Sequence, residues 1–338
     1  MVEQLRRFDE FVEEALYGDA GFYTIGGQKS DFTTSPETST LFGDCVAHYL
    51  DNVWESLGCP NPFVVIEGGS GPGRLCRDIL LGSLQCRDAI RYVMVERSAR
   101  QRKKALAEVA NSCFADVEEL PITALSDLPS GPLTGVVLAN ELLDNLCPRL
   151  LVKQHEGWNE IYVDGSREIS REAPNNASKM ATALVGEVAP GVRVPLQLKA
   201  AVWIQRAINL LDRGRVLIFD YGFKTTADLI MHSQTDWLRT YKNHRRSGSY
   251  LELPGSRDIT FDVAFDQLPK RAEISTQKEW LELHGIQTMV DNYRQIWEKE
   301  KAKPDSRSLA ALTIIKESEM LLDPKGLGGF IVAEWQIA

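Results

Sequence analysis

Hydrophobic positions along the chain follow two periods, and the switches between them lay out the elements. Apolar residues at Leu5, Phe8, Phe11, Val12, Ala15 and Leu16 recur at helical spacing until Tyr17-Gly18-Asp19-Ala20-Gly21 breaks the run. A second helix is predicted from Thr38 to Leu50 and on to about Leu57, with Ser35 as its cap and Pro36 at the first helical position. Residues 1–60 thus read as a helical cap. Beyond them, short apolar runs alternate with helical stretches. Strands are predicted at Phe63–Ile66, Ile90–Glu96, Ala115–Thr123, Gly135–Asn140, Arg215–Asp220, Ala272–Thr276 and Phe330–Trp335. Helices are predicted at Leu75–Leu81, Ala99–Ala110, Leu196–Leu211, Thr276–Leu283 and within Val290–Glu317. Such alternation is the signature of an α/β domain around a parallel sheet.

Two stretches interrupt it. Arg149–Val163 reads as a hairpin around Glu156-Gly157, followed by Ser166–Val192, polar and weakly periodic, which predicts a mobile surface insertion. Asp236–Phe265 is mixed in character and too long for an idle loop. The second domain is therefore expected over 61–338, with insertions at about 149–195 and 224–268.

The strand from Phe63 runs into Glu67-Gly-Gly69-Ser-Gly71-Pro-Gly73, an acid followed by glycines on alternate positions. Removing Cβ there permits unusual dihedrals and lets a ligand approach the backbone. A dinucleotide fingerprint would place glycine or alanine at position 74, which is Arg74. Glu67 beside the loop suits a ligand carrying an ammonium group. Glu96 ends the next strand roughly 20 residues on, where a ribose diol is bound in such folds. These features favour S-adenosylmethionine (SAM) over NAD.

With 338 residues, 43% hydrophobic and 25% charged, the chain has the composition of a soluble globular protein with material for one large or two ordinary domains. Its net charge of -9 argues against a nucleic-acid surface. No apolar run is long enough for a membrane span. The six cysteines show no C-x-x-C pair, and the N-terminus lacks both a signal core and the acid-poor character of an organellar presequence. A cytoplasmic protein with free thiols and no metal is expected.

Strand ends carry the polar chemistry. Gly135–Asn140 leads into Asn140-Glu141-Leu-Leu-Asp144, and Arg215–Asp220 into Tyr221-Gly222, both at the edge where ligands bind in open α/β sheets. Glu141 and Asp144 are three apart and would share a face if a helical turn starts there, either as functional acids or as caps of that turn. His244, in Tyr241-Lys-Asn-His244-Arg-Arg246, reads as a base, a substrate contact or a surface residue.

Several of these words resemble the MidA-type SAM-dependent methyltransferase family, whose mitochondrial members are complex I assembly factors. The match runs through Ala15-Leu16-Tyr17, Gly21-Phe22-Tyr23, Asp31-Phe-Thr-Thr-Ser-Pro-Glu37, Leu41-Phe42-Gly43, the Glu67 glycine turn, Ala139-Asn-Glu-Leu-Leu-Asp144, Asp220-Tyr-Gly222 and Pro254-Gly-x-x-Asp258-Ile-Thr260. The resemblance implies a Rossmann-like SAM methyltransferase sheet with an N-terminal helical cap and an inserted hairpin and helical substrate region. It implies SAM as methyl donor and, from the mitochondrial members, a protein arginine on a complex I subunit as acceptor. The chain departs from the family at Asp262-Val-Ala264-Phe265, where Asp-Val-Asp-Phe is usual, and at Arg245-Arg246 and the hairpin.

On this reading Glu67, Gly69, Gly71 and Gly73 hold the methionine end, Glu96 the ribose, and the turn near Leu125 the adenine. Asn140 also faces the cofactor, and Thr34-Ser35-Pro36 closes over it. Glu141 and Asp144, with Glu37 as a candidate third acid, orient a guanidinium. Three functions remain open: methylation of a protein side chain, methylation of a small molecule, and a SAM-binding assembly factor without turnover. Oligomeric state is not encoded in these features.

Overall fold

The computed structural model describes residues 5–25, 34–113, 122–242 and 245–338. The chain forms two compact units, each assembled from separated stretches. One comprises Met1–Phe32, Leu142–Arg206 and Asp220–Lys270; the other Thr33–Glu141, Ala207–Phe219 and Arg271–Ala338. The division differs from the expected boundary at residue 60. Residues 33–60 belong with the sheet, and the first 32 belong with the two inserted stretches.

The second unit is built on a seven-stranded sheet in the order Glu273–Thr276, Ile331–Ile337, Leu211–Asp220, Leu133–Asn140, Phe63–Gly68, Ile90–Val95, Ile122–Leu125. The five strands from Leu211–Asp220 to Ile122–Leu125 are parallel, and Glu273–Thr276 runs antiparallel to Ile331–Ile337. All six residues of Phe63–Gly68 are buried, as a strand covered on both faces requires. Strand order reverses around it: chain continuation goes to Ile90–Val95 on one side, and the later Leu133–Asn140 pairs on the other. That reversal opens a crevice at the strands' carboxyl ends, the usual ligand position in such sheets.

The sheet core gathers Leu41, Phe42, Phe63, Tyr92 and Phe219. Phe219 meets Phe42 and Trp280 edge-on, with ring centroids 5.1 and 4.8 Å apart. Each such contact is worth about 0.5–1.5 kcal/mol beyond area burial.

The helix predicted from Thr38 is interrupted. Ser35–Thr38 is a single turn, Ser39 is extended, and a new helix runs over Thr40–Ser56. Ser35 is not the cap: Thr34 stands there, its backbone N–H donating to Glu37 at 3.4 Å, while Ser39 Oγ accepts from Leu41 N–H of the second helix. The stretch offers several hydroxyls that can accept such bonds, so residue type alone does not choose among them.

In the other unit the hairpin is present as Arg149–Lys153 and Trp158–Asp164. The segment expected to be a mobile insertion is instead regular. Arg167–Glu172 pairs with Trp158–Asp164, Arg193–Leu196 pairs with Arg149–Lys153, and Asn175–Val185 is a helix. That helix buries Ala177 and Ala181 in a cluster with Trp158 and Leu151. Small side chains give little hydrophobic contrast, which is why the period was faint. The mixed segment after Asp236 is also folded. Leu238–Lys242 lies between Arg245–Arg246 and Asp258–Phe261, and Gly222–Phe223 pairs with Val263–Ala264.

Among the described residues no helix is long and apolar enough to cross a membrane, and no group of three metal-ligating side chains converges. Cys45, Cys59, Cys86 and Cys147 stand as thiols. Burial pushes the Cys45 and Cys147 thiols up to about 12, which leaves them unreactive.

His284 packs against the rings of Trp280 and Tyr49, at 4.2 and 5.2 Å between centroids. Burial, with the nearby His48, lowers its pKa to about 4. The unfolded chain takes up this proton near pH 6.5 and the folded chain only near 4, so stability is lost as pH falls through that window. His284→Phe is expected to flatten this loss. Urea midpoints at pH 7 and pH 5 should differ less in the variant than in the wild type. Asp44, pushed up to about 6 by burial and by Asp78, acts with the opposite sign in both proteins.

Candidate functional site

At the end of Phe63–Gly68 the chain turns through three glycines with positive φ: 69° at Gly69, 51° at Gly71 and 82° at Gly73. Backbone N–H groups of Gly69 and Ser70 donate to Val95 O at 2.8 and 3.2 Å, which ties the turn to the neighbouring strand. Gly71 and Gly73 do different things. A Cβ on Gly73 would lie 2.9 Å from Ala105 Cα, so this glycine lets the turn pack against the Ala99–Cys113 helix. A Cβ on Gly71 would meet nothing closer than Gly69 O at 4.0 Å, so its outer side faces open space. Close packing of the helix, which the dinucleotide pattern would have assigned to position 74, falls to Gly73.

Glu67 is 4% exposed and accepts a hydrogen bond from Tyr92 Oη at 2.8 Å. Burial, with the charge of Glu67 second, raises the tyrosine pKa well above 10. Glu96 receives the N–H groups of Gly71 at 3.1 Å and Ser98 at 2.8 Å. The carboxylate thus braces the turn from the adjacent strand end. Its own N–H donates to Leu125 O at 2.9 Å, which brings Leu125, a partly exposed side chain, beside it.

Asn140 ends the next strand over and donates to Glu141 Oε1 at 3.1 Å. Its own Oδ1, like Ser70 Oγ, is buried without a protein partner among the described residues. Burying such atoms unsatisfied costs roughly 1–3 kcal/mol each, a cost that a polar ligand removes. The sheet unit therefore brings Glu67, Gly69, Gly71, Gly73, Glu96, Leu125 and Asn140 to one strand-end region.

The expected loop residues are otherwise engaged. Ser35 is fully buried and its hydroxyl donates to Gln277 Oε1 at 3.1 Å; Pro36 is buried in the same turn, and Thr34 and Glu37 cap it.

Glu141 and Asp144 do not share a helical face. Glu141 has φ 51°, and its N–H donates to Phe219 O at 2.9 Å; the short turn that follows covers only Leu143–Asn145. The three-residue spacing held, but the left-handed residue rotates the first acid off any common helix.

Asp144 instead belongs to a polar set within the other unit. Its carboxylate accepts from Asn145 Nδ2 at 2.6 Å and from Tyr221 Oη. Asp220 receives the N–H groups of Leu143, Asp144 and Tyr221. Tyr23 Oη lies 2.8 Å from Asn145 Oδ1 and 2.9 Å from Asp258 Oδ1. The Arg239 guanidinium sits 4.8 Å above the Tyr221 ring and pairs with Asp262. Burial raises the Asp262 pKa even against the pull of Arg239, and burial with Asp144 raises that of Tyr221.

Four buried carboxylates, Asp144, Asp220, Asp258 and Asp262, thus lie in one hydrogen-bonded set, and Asp262 pairs with the Arg239 guanidinium. Sequence reasoning singled out Asp144 and the Asp220-Tyr221 pair but missed Tyr23, Asn145, Arg239, Asp258 and Asp262 as one set. Tyr23 and Asp258 stood in the words at 21–23 and 254–260 and Asp262 in the stretch that departs from the family, while Asn145 and Arg239 carried no signal of their own. His244 lies outside the described residues.

Residues 45–285 match the family described as putative S-adenosyl-L-methionine-dependent methyltransferases, and the chain belongs to that family. The relatives it is similar to are more specific. It is 29% identical over 302 residues to the mitochondrial protein arginine methyltransferase NDUFAF7 homolog of Drosophila melanogaster, covering 78% of this chain and 66% of the fly protein. It is 30% identical over 295 residues to NDUFAF7 of Mus musculus, covering 78% and 65%. The chain therefore spans slightly less than two-thirds of these relatives' length. Human NDUFAF7 aligns over 94% of the chain at 27% identity, covering 77% of the human protein.

A crystal structure from Burkholderia thailandensis, bound to S-adenosyl-homocysteine, superposes with TM-score 0.80 at 23% identity, over 98% of this chain and 88% of that one. It supports the Rossmann-like methyltransferase fold. SAM is the cofactor of the family, and the residues above fit it: acids at the ends of two adjacent strands, an open glycine face and buried unsatisfied oxygens. The expectation of a cytoplasmic protein is overturned, since these curated relatives are mitochondrial proteins.

Proposed function

We propose that this protein transfers a methyl group from SAM to an arginine side chain of a protein, in a mitochondrial setting as its relatives do. The observation that carries the reading is the set of buried carboxylates around Asp144 in a chain of the SAM-dependent family. A carboxylate suits a guanidinium and does nothing for an acidic or neutral acceptor.

Bound SAM supplies an electrophilic methyl on a sulfonium. Glu67 would receive the ammonium of its methionine end, Gly71 would allow the backbone to approach, Glu96 would take the ribose hydroxyls and Leu125 would lie against the adenine. A guanidinium, with a pKa above about 12, is not deprotonated beforehand at low cost. The Glu141 carboxylate, in the same unit as the glycine turn, would orient one of its nitrogens and take the proton as the new bond forms, with Asp144 as the candidate second acid. Tyr221 and Asn145 hold the Asp144 carboxylate in one rotamer through two hydrogen bonds. Such positioning is what an in-line methyl displacement chiefly needs.

The test is incubation of the purified protein with isotopically labelled SAM and a mitochondrial protein extract, followed by peptide mass spectrometry. Labelled methyl on arginine is expected. Label on small molecules alone, or on lysine alone, would refute the arginine reading. No incorporation at all, with SAM bound, would point to a binding role without turnover.

A further inference from the structure

The unit that holds Asp144 also contains a cavity of about 550 Å³, lined by Glu168, Arg193, Arg239, Arg246, Ser249 and Tyr250 among others. Its charge is opposite to that of the acid set. Glu168 is matched by Arg193, which donates to it at 2.8 Å, and receives Tyr250 Oη as well. Arg239 is matched by Asp262. Arg246 is not neutralised to the same degree. Its nearest acid is Asp236 at 3.9 Å, and the two side chains are 55% and 53% exposed, so solvent screens the pair.

Arg246 is nonetheless held in place, Nη2 donating to Thr235 O at 2.8 Å, a backbone acceptor that leaves its charge intact. Arg246 thus sets a standing positive charge on an open cavity in a chain of net charge -9. The cavity and the acid set share one wall. Arg239 lines the cavity and at the same time stacks on Tyr221, whose hydroxyl bonds Asp144. Between the Asp144 carboxylate and the cavity stand one aromatic ring and one guanidinium. The guanidinium-to-ring step alone is 4.8 Å, more than the roughly 3.3 Å that extended polypeptide advances per residue, so the two points lie at least two residues apart along a peptide.

We infer that this cavity receives the carboxylate of an aspartate or glutamate lying within about three residues of the acceptor arginine. The protein then reads a mixed-charge segment: the arginine by the acids around Asp144, its acidic neighbour by Arg246 with the hydroxyls beside it. The inference rests on the protein-arginine reading and adds the sequence context. Strand alternation supplies its control. Arg245 and Arg246 are successive residues of one strand, so their side chains leave opposite faces, and only Arg246 lines the cavity.

The experiment uses peptides with one arginine and, at each position from three before to three after it, Glu, Gln or Lys. Values of kcat/KM are compared for the wild type, Arg246→Glu and Arg245→Glu. Arg246 is exposed, so its replacement leaves the core untouched. At the preferred position the wild type should favour Glu over Lys by about tenfold or more, Arg246→Glu should abolish or invert that ratio, and Arg245→Glu should keep it. Methylation of all peptides at one rate would overturn the inference and leave the arginine reading standing. A ratio shifted equally by both variants would reduce it to an effect of net charge and overturn it too. Methylation of none would overturn the arginine reading itself, and the inference with it.

Discussion

Gly71→Val abolishes binding of S-adenosyl-homocysteine while the protein stays folded: this is the expected result of isothermal titration, with affinity lowered by about 100-fold or more. The reason is specific to this glycine. Its backbone has φ 51°, and a Cβ there would project into open space with nothing nearer than 4.0 Å. Valine would put two methyl groups where a ligand must touch the backbone. The left-handed conformation adds roughly 1–2 kcal/mol of strain, a tolerable share of the roughly 5–15 kcal/mol that stabilises a typical domain.

At Gly73 the same substitution would strike Ala105 at 2.9 Å and confound binding with folding, which is why it is the poorer choice. Circular dichroism should therefore match the wild type for Gly71→Val. Unchanged affinity in the folded variant would show that the cofactor does not approach this turn.

Much of the fold was legible because the relevant signals are local. Phe63–Gly68 and Leu133–Asn140 are buried parallel strands, and continuous apolar runs such as Val64-Val-Ile66 and Val136-Val-Leu138 announce them without partners. The glycine turn was legible because unusual dihedrals demand one residue type. What stayed hidden depends on distant partners or on small side chains. Tyr221 and Asp144 are 77 residues apart, and no spacing rule links them. Ala177 and Ala181 bury a helix face with too little contrast to read as one.

The common helical face expected of Glu141 and Asp144 is absent for a third reason. A spacing of three implies a common face only if every residue between adopts helical dihedrals, and Glu141 does not. Likewise the chain's division into units follows contacts: the first 32 residues group with stretches more than 100 positions away, as when Tyr23 reaches Asn145 and Asp258.

Glu141→Gln separates catalysis from binding more cleanly than any other single change. Glu141 is 8% exposed and held from both sides: its N–H donates to Phe219 O at 2.9 Å, and its Oε1 accepts from Asn140 at 3.1 Å. Glutamine keeps the side-chain length, and its amide oxygen can still accept from Asn140, so the backbone should keep its left-handed turn. What is lost is the negative charge and the ability to take a proton.

If Glu141 pairs with the acceptor guanidinium and receives its proton, kcat should fall by about 10²–10⁴, the usual contribution of a positioned acid or base. Affinity for S-adenosyl-homocysteine should stay within about twofold, because the proposed function assigns the cofactor to the turn, Glu67 and Glu96. A variant that keeps more than about a third of wild-type kcat would remove Glu141 from the chemistry and shift the role of base to Asp144. A variant that loses cofactor affinity in step with kcat would place Glu141 in cofactor binding. Wild-type protein that binds cofactor yet methylates nothing, with Glu141→Gln matching it in cells, would make the acids structural and the protein a SAM-binding assembly factor.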